Sequence, residues 1–189
     1  ALHPECDLAI EDIVSEAIVS NENQQSVQLD LSKIAYSDQI KKKIRESFGE
    51  VLKLLNFDIK GHDIFRRWYV DGRIFYQKII DRENPKKGIV ELKYIDPRKI
   101  KKIREVRKKR PDVPSPSSLN SLAVVDEYVE YFLYNERGVS GTTGTAGIKI
   151  APDTIAFCAS GIIDQNRNMV LSYLHKAIKP VNQLRMIED

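Results

Sequence analysis

The chain has 189 residues, 42% of them apolar and 30% charged, and its 30 Lys and Arg against 27 Asp and Glu leave a net charge of +3. A chain of this length buries about 70% of its unfolded surface and holds a core without staples. With 9 Gly and 8 Pro it is neither collagen-like nor disordered as a whole, and it has no apolar run of about 18 residues, the length a membrane-spanning helix needs.

Residues 4–20 read as a helix, with Pro4 in the first turn and Ile10, Ile13, Val14, Ala17 and Ile18 on one face. Asn21 to Ser26 is a polar loop, and Val27, Leu29 and Leu31 alternate with Gln28 and Asp30 as a strand would. Ser37 is placed to cap a second helix at about 38–56, whose apolar stripe is Ile40, Ile44, Phe48, Val51, Leu52 and Leu55. The run Trp68 to Tyr76 has Asp71-Gly72 between two aromatic and β-branched halves, which predicts a hairpin with a tight turn. Trp68 would then pair with Phe75 and Tyr69 with Ile74, so that both faces need cover, either from the chain's own helices or from another subunit.

Asn84 to Gly88 predicts a turn, Ile89 to Ile95 a strand, and Asp96-Pro97 its end. A short turn and a strand at about 101–108 follow. Pro111 to Ser121 is a loop by composition, Val124 to Tyr134 an aromatic-rich strand, and the Gly138, Gly141, Gly144, Gly147 series the tip of a hairpin. Ile148 to Ile150 and Thr154 to Ala159 are short strands around a Pro-Asp turn. Asn168 to Asp189 reads as a helix lined by Leu171, Leu174, Ile178, Val181 and Leu184, kinked at Pro180 and cut rather than finished at its end. That end, with Ala1 in place of Met, predicts a fragment of a longer protein. The fold class expected is α+β: an antiparallel sheet with hairpins packed against several helices.

The charge is unevenly spread. Arg98 to Arg110 holds nine basic residues and one acid, a net of +8, which leaves −5 on the rest of the chain. Three readings stay open for this band: contact with nucleic acid phosphates, a solvated edge strand whose Lys and Arg block edge pairing, and an interface with an acidic protein surface. Its candidate interaction residues are Arg98, Lys101, Lys102, Arg104, Arg107 and Lys108. Trp68, Tyr69 and Phe75 are candidates in the aromatic run, as core or as a patch for another subunit.

Catalytic patterns fail. The Gly-rich segment lacks the Lys-Ser/Thr of a phosphate-binding loop, and Thr142 stands where a nucleophile elbow would need another residue. Asp126 and Glu127 are neighbours on a strand and point to opposite faces. His3 and Cys6 have no second ligand pair at zinc spacing, and a site built from Asp63, Asp71, Asp96 and His175 would need these distant residues to converge. Cys6 and Cys158 read as reduced thiols in a cytoplasm, and the acidic start (Glu5, Asp7, Glu11, Asp12) is unlike a secretory signal. No enzyme activity, metal or cofactor is expected.

Five segments carry a resemblance. They are Asp63-Ile-Phe-Arg-Arg-Trp-Tyr-Val-Asp-Gly-Arg73, Leu92-Lys-Tyr-Ile-Asp-Pro-Arg-Lys-Ile100, Ile148-Lys-Ile-Ala-Pro-Asp-Thr-Ile155, Ser160-Gly-Ile-Ile-Asp164, and the run from Val170 through Leu184. In this order, from about residue 37 to the end, they resemble the portal vertex proteins of T-even-type tailed bacteriophages. The resemblance implies a structural, non-enzymatic subunit of a dodecameric ring at the head vertex, which passes double-stranded DNA during packaging and ejection. It also implies that the ring nucleates procapsid assembly with scaffold and major capsid proteins, docks terminase and later the neck, and meets a membrane only during head assembly. The location implied is the virion, and the host cytoplasm during assembly. On this resemblance residues 1–36 are an N-terminal helix and strand, 37–167 a wing-like α+β domain, and 168–189 the start of a long helix leading toward a stem. The alternative is a nonspecific nucleic-acid-binding module that uses the band at 98–110.

Overall fold

A computed structural model describes residues 4–19, 26–109, 125–139, 147–164 and 169–188. The loop expected at 111–121, most of the polar loop at 21–26, the centre of the Gly-rich tip and His3 lie outside them.

Helix α1 (Pro4–Ala17) starts with Pro4 and carries Glu5 and Asp7 in its first turn, where carboxylates oppose the positive end of the helix dipole. Helix α2 (Asp38–Leu55) follows Ser37, whose backbone is extended but whose side chain makes no capping hydrogen bond. It ends at Asn56, held at φ 49°, and α3 (Phe57–Asp71) begins with the next residue. Asn tolerates this left-handed conformation better than most residues. Its N–H donates back to carbonyls of α2, and its own carbonyl accepts from Lys60 at 2.9 Å, so one residue closes one helix and opens the other.

Trp68 to Asp71 are the last turn of α3, and no hairpin forms at 68–76. The Asp-Gly signal is a helix stop: Gly72 has φ 71°, and its N–H donates to the Trp68 carbonyl at 2.8 Å. A hairpin turn and a helix C-terminus both need a left-handed residue, so Asp-Gly suits either. Phe65, Trp68 and Tyr69 recur at helical spacing, and that period prevails. The proposed strand at 27–31 is also absent. Those residues have no neighbour to pair with, and Asp30 instead accepts the Ser32 N–H at 2.8 Å in a local turn that leaves Leu31 buried.

The strands are β1 (Arg73–Ile80), β2 (Ile89–Ile95), β3 (Ile100–Lys109), β4 (Val125–Tyr134), β5 (Ile148–Ile150), β6 (Ile155–Ala159), β7 (Ile163–Asp164) and β8 (Met169–Val170). Among the described residues all pairings are antiparallel, in sheets ordered β2-β1-β6, β3-β4-β5 and β7-β8. The long helix expected at 168–189 is three elements: β8, a 3-10 turn at Tyr173–Ala177, and α4 (Ile178–Glu188). Pro180 falls in the first turn of α4, where its missing N–H has no intrahelical partner to lose, so it marks a helix start and not a kink. The protein is thus a mixed α+β fold of helices and small antiparallel sheets.

The two three-stranded sheets meet across Phe75, Ile100, Phe132 and Ile155, all buried, with Ile95, Tyr134, Ile150 and Phe157 around them. The Phe75 ring stacks on Phe157 at 4.9 Å and meets Phe132 edge-on at 6.0 Å. Helix α1 buries Ile10 and Val14 and is tied to α3 by Arg66, which reaches Asp7 at 2.5 Å and Glu11 at 2.6 Å. These side chains are partly exposed, so the tie contributes about 1 kcal/mol at most; burial of the apolar face holds α1.

Phe75→Ala is expected to lower unfolding free energy by about 3–5 kcal/mol in urea titrations. Gly72→Ala is expected to cost at least about 2 kcal/mol, because a Cβ there would stand 2.5 Å from the Leu171 carbonyl oxygen as well as at positive φ. Gly88 also has positive φ but opens on empty space, so Gly88→Ala should cost less than Gly72→Ala in the same measurement.

Candidate interaction surface

Strands β3 and β4 pair along ten residues each, from Ile100 opposite Tyr134 to Lys109 opposite Val125. Strand β5 backs β4 only at Phe132–Tyr134. Among the described residues the rest is a two-stranded ribbon and β3 is an edge strand. The part of the basic band in β3 therefore lies at a sheet edge among the described residues.

Two of its charges are matched across the ribbon by Glu130. Glu130 takes Arg104 on one oxygen, through Nε at 2.7 Å and Nη2 at 2.5 Å, and Lys102 on the other at 2.8 Å. Register also sets Arg107 opposite Glu127 and Lys108 opposite Asp126. Opposite charges facing across a ladder stabilise the pairing. Hydrogen bonds from Lys102 and then Arg104 hold the Glu130 carboxyl below its ordinary pKa. Lys101 is exposed and has no ion pair among the described residues. Val106 and Tyr128, opposite each other, are both half-exposed or more, and the Arg104 guanidinium lies 6.0 Å from the Tyr128 ring.

Arg98 lies in the turn before β3 and folds back on Asp96 at 2.7 Å. Its side-chain hydrogen bonds are the main reason the Asp96 pKa is depressed. The Arg98 carbonyl accepts the Val139 N–H at 2.9 Å and the Lys99 carbonyl the Asn135 N–H at 2.9 Å, which fixes where the ribbon leaves the body.

The aromatic candidates part company. Phe75 is core, 1% exposed. Trp68 and Tyr69 are half-buried on α3 and pack on Tyr173 of the 3-10 turn, with the Tyr69 and Tyr173 rings stacked 5.3 Å apart and Phe65 beside them. They dock the C-terminal segment onto α3. Trp68 Nε1 is buried without a partner, next to an apolar cavity of about 360 Å³ between α2, α3 and the β2-β1-β6 sheet. Glu130 and Tyr173, which organise the two clusters, are not evident in the sequence. Pairing β3 with β4 in register would have found Glu130, but the segment between them hides that register.

Among the described residues no three His, Cys, Asp or Glu gather as a metal site, and Asp63, Asp71, Asp96 and His175 form no such group. Asp63 pairs with Arg67 at 2.9 Å, while His175 lies beside α4. Cys6 and Cys158 are free thiols. No helix among the described residues is long and apolar enough to cross a membrane.

The Glu130 contribution to the ribbon is present above the ordinary glutamate range and is lost only as pH falls through its lowered pKa. Carboxyl-carbon NMR titration should find Glu130 titrating below an ordinary glutamate, and Lys102→Ala with Arg104→Ala should move it back up. An unchanged midpoint in the double variant would refute the cross-strand pairing.

Residues 1–189 match the family described as Bacteriophage T4-like portal protein (Gp20). The chain is 35% identical over 191 aligned residues to the portal protein of Vibrio phage KVP40, covering 100% of this chain and 37% of that protein. It is 38% identical over 102 residues to the portal protein of Salmonella phage ViI, covering 53% of this chain and 18% of that protein. The chain thus spans little more than a third of the first of these relatives and less than a fifth of the second. The match over the whole chain makes the chain a member of the T4-like portal protein family, structural proteins of the phage virion.

Proposed function

We propose that this chain is part of a structural, non-enzymatic subunit of a portal ring at the head vertex, and that the ring is dodecameric. The ring would give double-stranded DNA its channel during packaging and ejection, nucleate procapsid assembly with scaffold and major capsid proteins, and dock terminase and then the neck. Membership of the portal family carries this reading. The surface agrees with it: the open ribbon and apolar side chains such as Val106, Tyr128 and those of α4 suit a protein that works among other subunits.

Within the ring we assign residues 37–167 to a wing-like domain, with the chain from 168 onward, including the 3-10 turn and α4, leading out of it. Arg98, Lys101, Lys102, Arg104, Arg107 and Lys108 are proposed to face protein and not DNA. The Glu130 carboxylate already pairs with Lys102 and Arg104, so a phosphate backbone would have to displace it from two cations. A nonspecific nucleic-acid module would instead need its cations free, and its affinity would fall steeply with salt.

Negative-stain microscopy of the full-length protein is expected to show closed rings with a central hole. Discrete monomers under several salt conditions would overturn the proposal. Charge reversal at Lys101 and Arg104 should leave any DNA binding by this chain unchanged; its loss would favour the nucleic-acid reading.

A further inference from the structure

The β3–β4 ribbon has two open edges of opposite charge. Strand β3 carries six basic residues and one acid, while β4 carries three acids and no basic residue. Among the described residues the β3 edge has no neighbour other than β4, and β4 lacks an outer neighbour at 125–131. A two-stranded ribbon alone in water is marginally stable and wants a further strand. This one also leaves Val106 and Tyr128 uncovered.

We propose that the basic edge of β3 in one subunit pairs, strand against strand, with the acidic edge of β4 at 125–131 in the next copy. The proposal rests on the ring reading and says which edges meet in it. Copies related by rotation about a ring axis keep the same sense, so the β3 of one is antiparallel to the β4 of the next, just as it is within a chain. The pairing uses two different patches per subunit, as a head-to-tail ring contact must. Main-chain hydrogen bonds would join the strands and charge would select them. Glu130, already held by Lys102 and Arg104 on one side, would meet a second basic strand on the other. The lysines that discourage pairing with a like-charged edge favour this one.

Two full-length variants test it. In one, Lys101, Arg104, Arg107 and Lys108 become Glu; in the other, Asp126, Glu127 and Glu130 become Lys. Each alone presents like charges at every seam and is expected to remain unassembled. Mixed in equal amounts, they are expected to form rings that contain both chains in alternation, because each acidic edge then meets a basic one. The charge mismatch inside each ribbon is unchanged by mixing, so rescue can only come from contact between chains. Folded variants that assemble separately, or that stay apart when mixed, would overturn the proposal.

Should the variants fail to fold, hydrogen exchange on the wild-type protein decides. Assembly is expected to slow amide exchange at least tenfold at alternate residues of 101–109 and 125–131 that exchange freely in the dissociated chain. Rings that form with exchange in both strands unchanged would refute this pairing and leave the ring itself intact. A wild-type chain that forms no ring would refute the ring reading on which the pairing depends.

Discussion

The fold turns on the absence of a side chain at Gly72. This residue ends α3, begins β1, and lies against the main chain of Leu171 more closely than any Cβ would allow. Its carbonyl accepts the Ser160 N–H at 2.7 Å, which brings in the end of β6. Ser160 Oγ in turn donates to the Leu171 carbonyl at 2.6 Å. Helix, sheet and C-terminal segment therefore meet at one point. From there, Phe75 is three residues along β1, placed to fill the space between the sheets, and Tyr69 is three residues back on α3, placed to stack on Tyr173. A displaced junction would move both clusters.

The two clusters do different work. The Phe75, Phe132 and Phe157 rings join sheets that share no backbone ladder among the described residues, and with the hydrogen bonds at Arg98 and Lys99 they set how the β3–β4 ribbon sits on the rest. The Phe65, Trp68, Tyr69 and Tyr173 rings fix the direction in which the chain leaves toward α4. One anchors a protruding arm, and the other an outgoing helix. In the ring proposed above, both would have to be rigid for neighbours to repeat the same angle.

Much of this was legible in the residues. The stripe from Ile40 to Leu55 is long and regular enough to mark α2, and β2 and β4 stand out as β-branched and aromatic runs. Among the described residues the strand that carries most of the basic band lies at a sheet edge. What misled were signals that serve two structures. Asp-Gly fits a hairpin and a helix end equally, and only the packing of Phe65, Trp68 and Tyr69 on Tyr173 separates them, a contact more than a hundred residues away in sequence. The apolar residues from Leu171 to Leu184 keep helical spacing across what are really the residue after β8, a 3-10 turn and a helix, two of them, Ile178 and Leu184, on exposed positions of α4. The charge on β4 was visible but could not be set against the band without the register.

The pairing of β1 with β6 also fixes an order of events at the ribosome. Strand β1 finds β2 almost at once, but its other neighbour lies about 80 residues further on, since Phe75 faces Phe157. At a synthesis rate of about 5–20 residues per second, β1 waits on the order of 4–16 s with one edge and the Phe75 ring uncovered. The nascent chain is most vulnerable to mispairing in that interval, at whose start the helices α1, α2 and α3 are already complete.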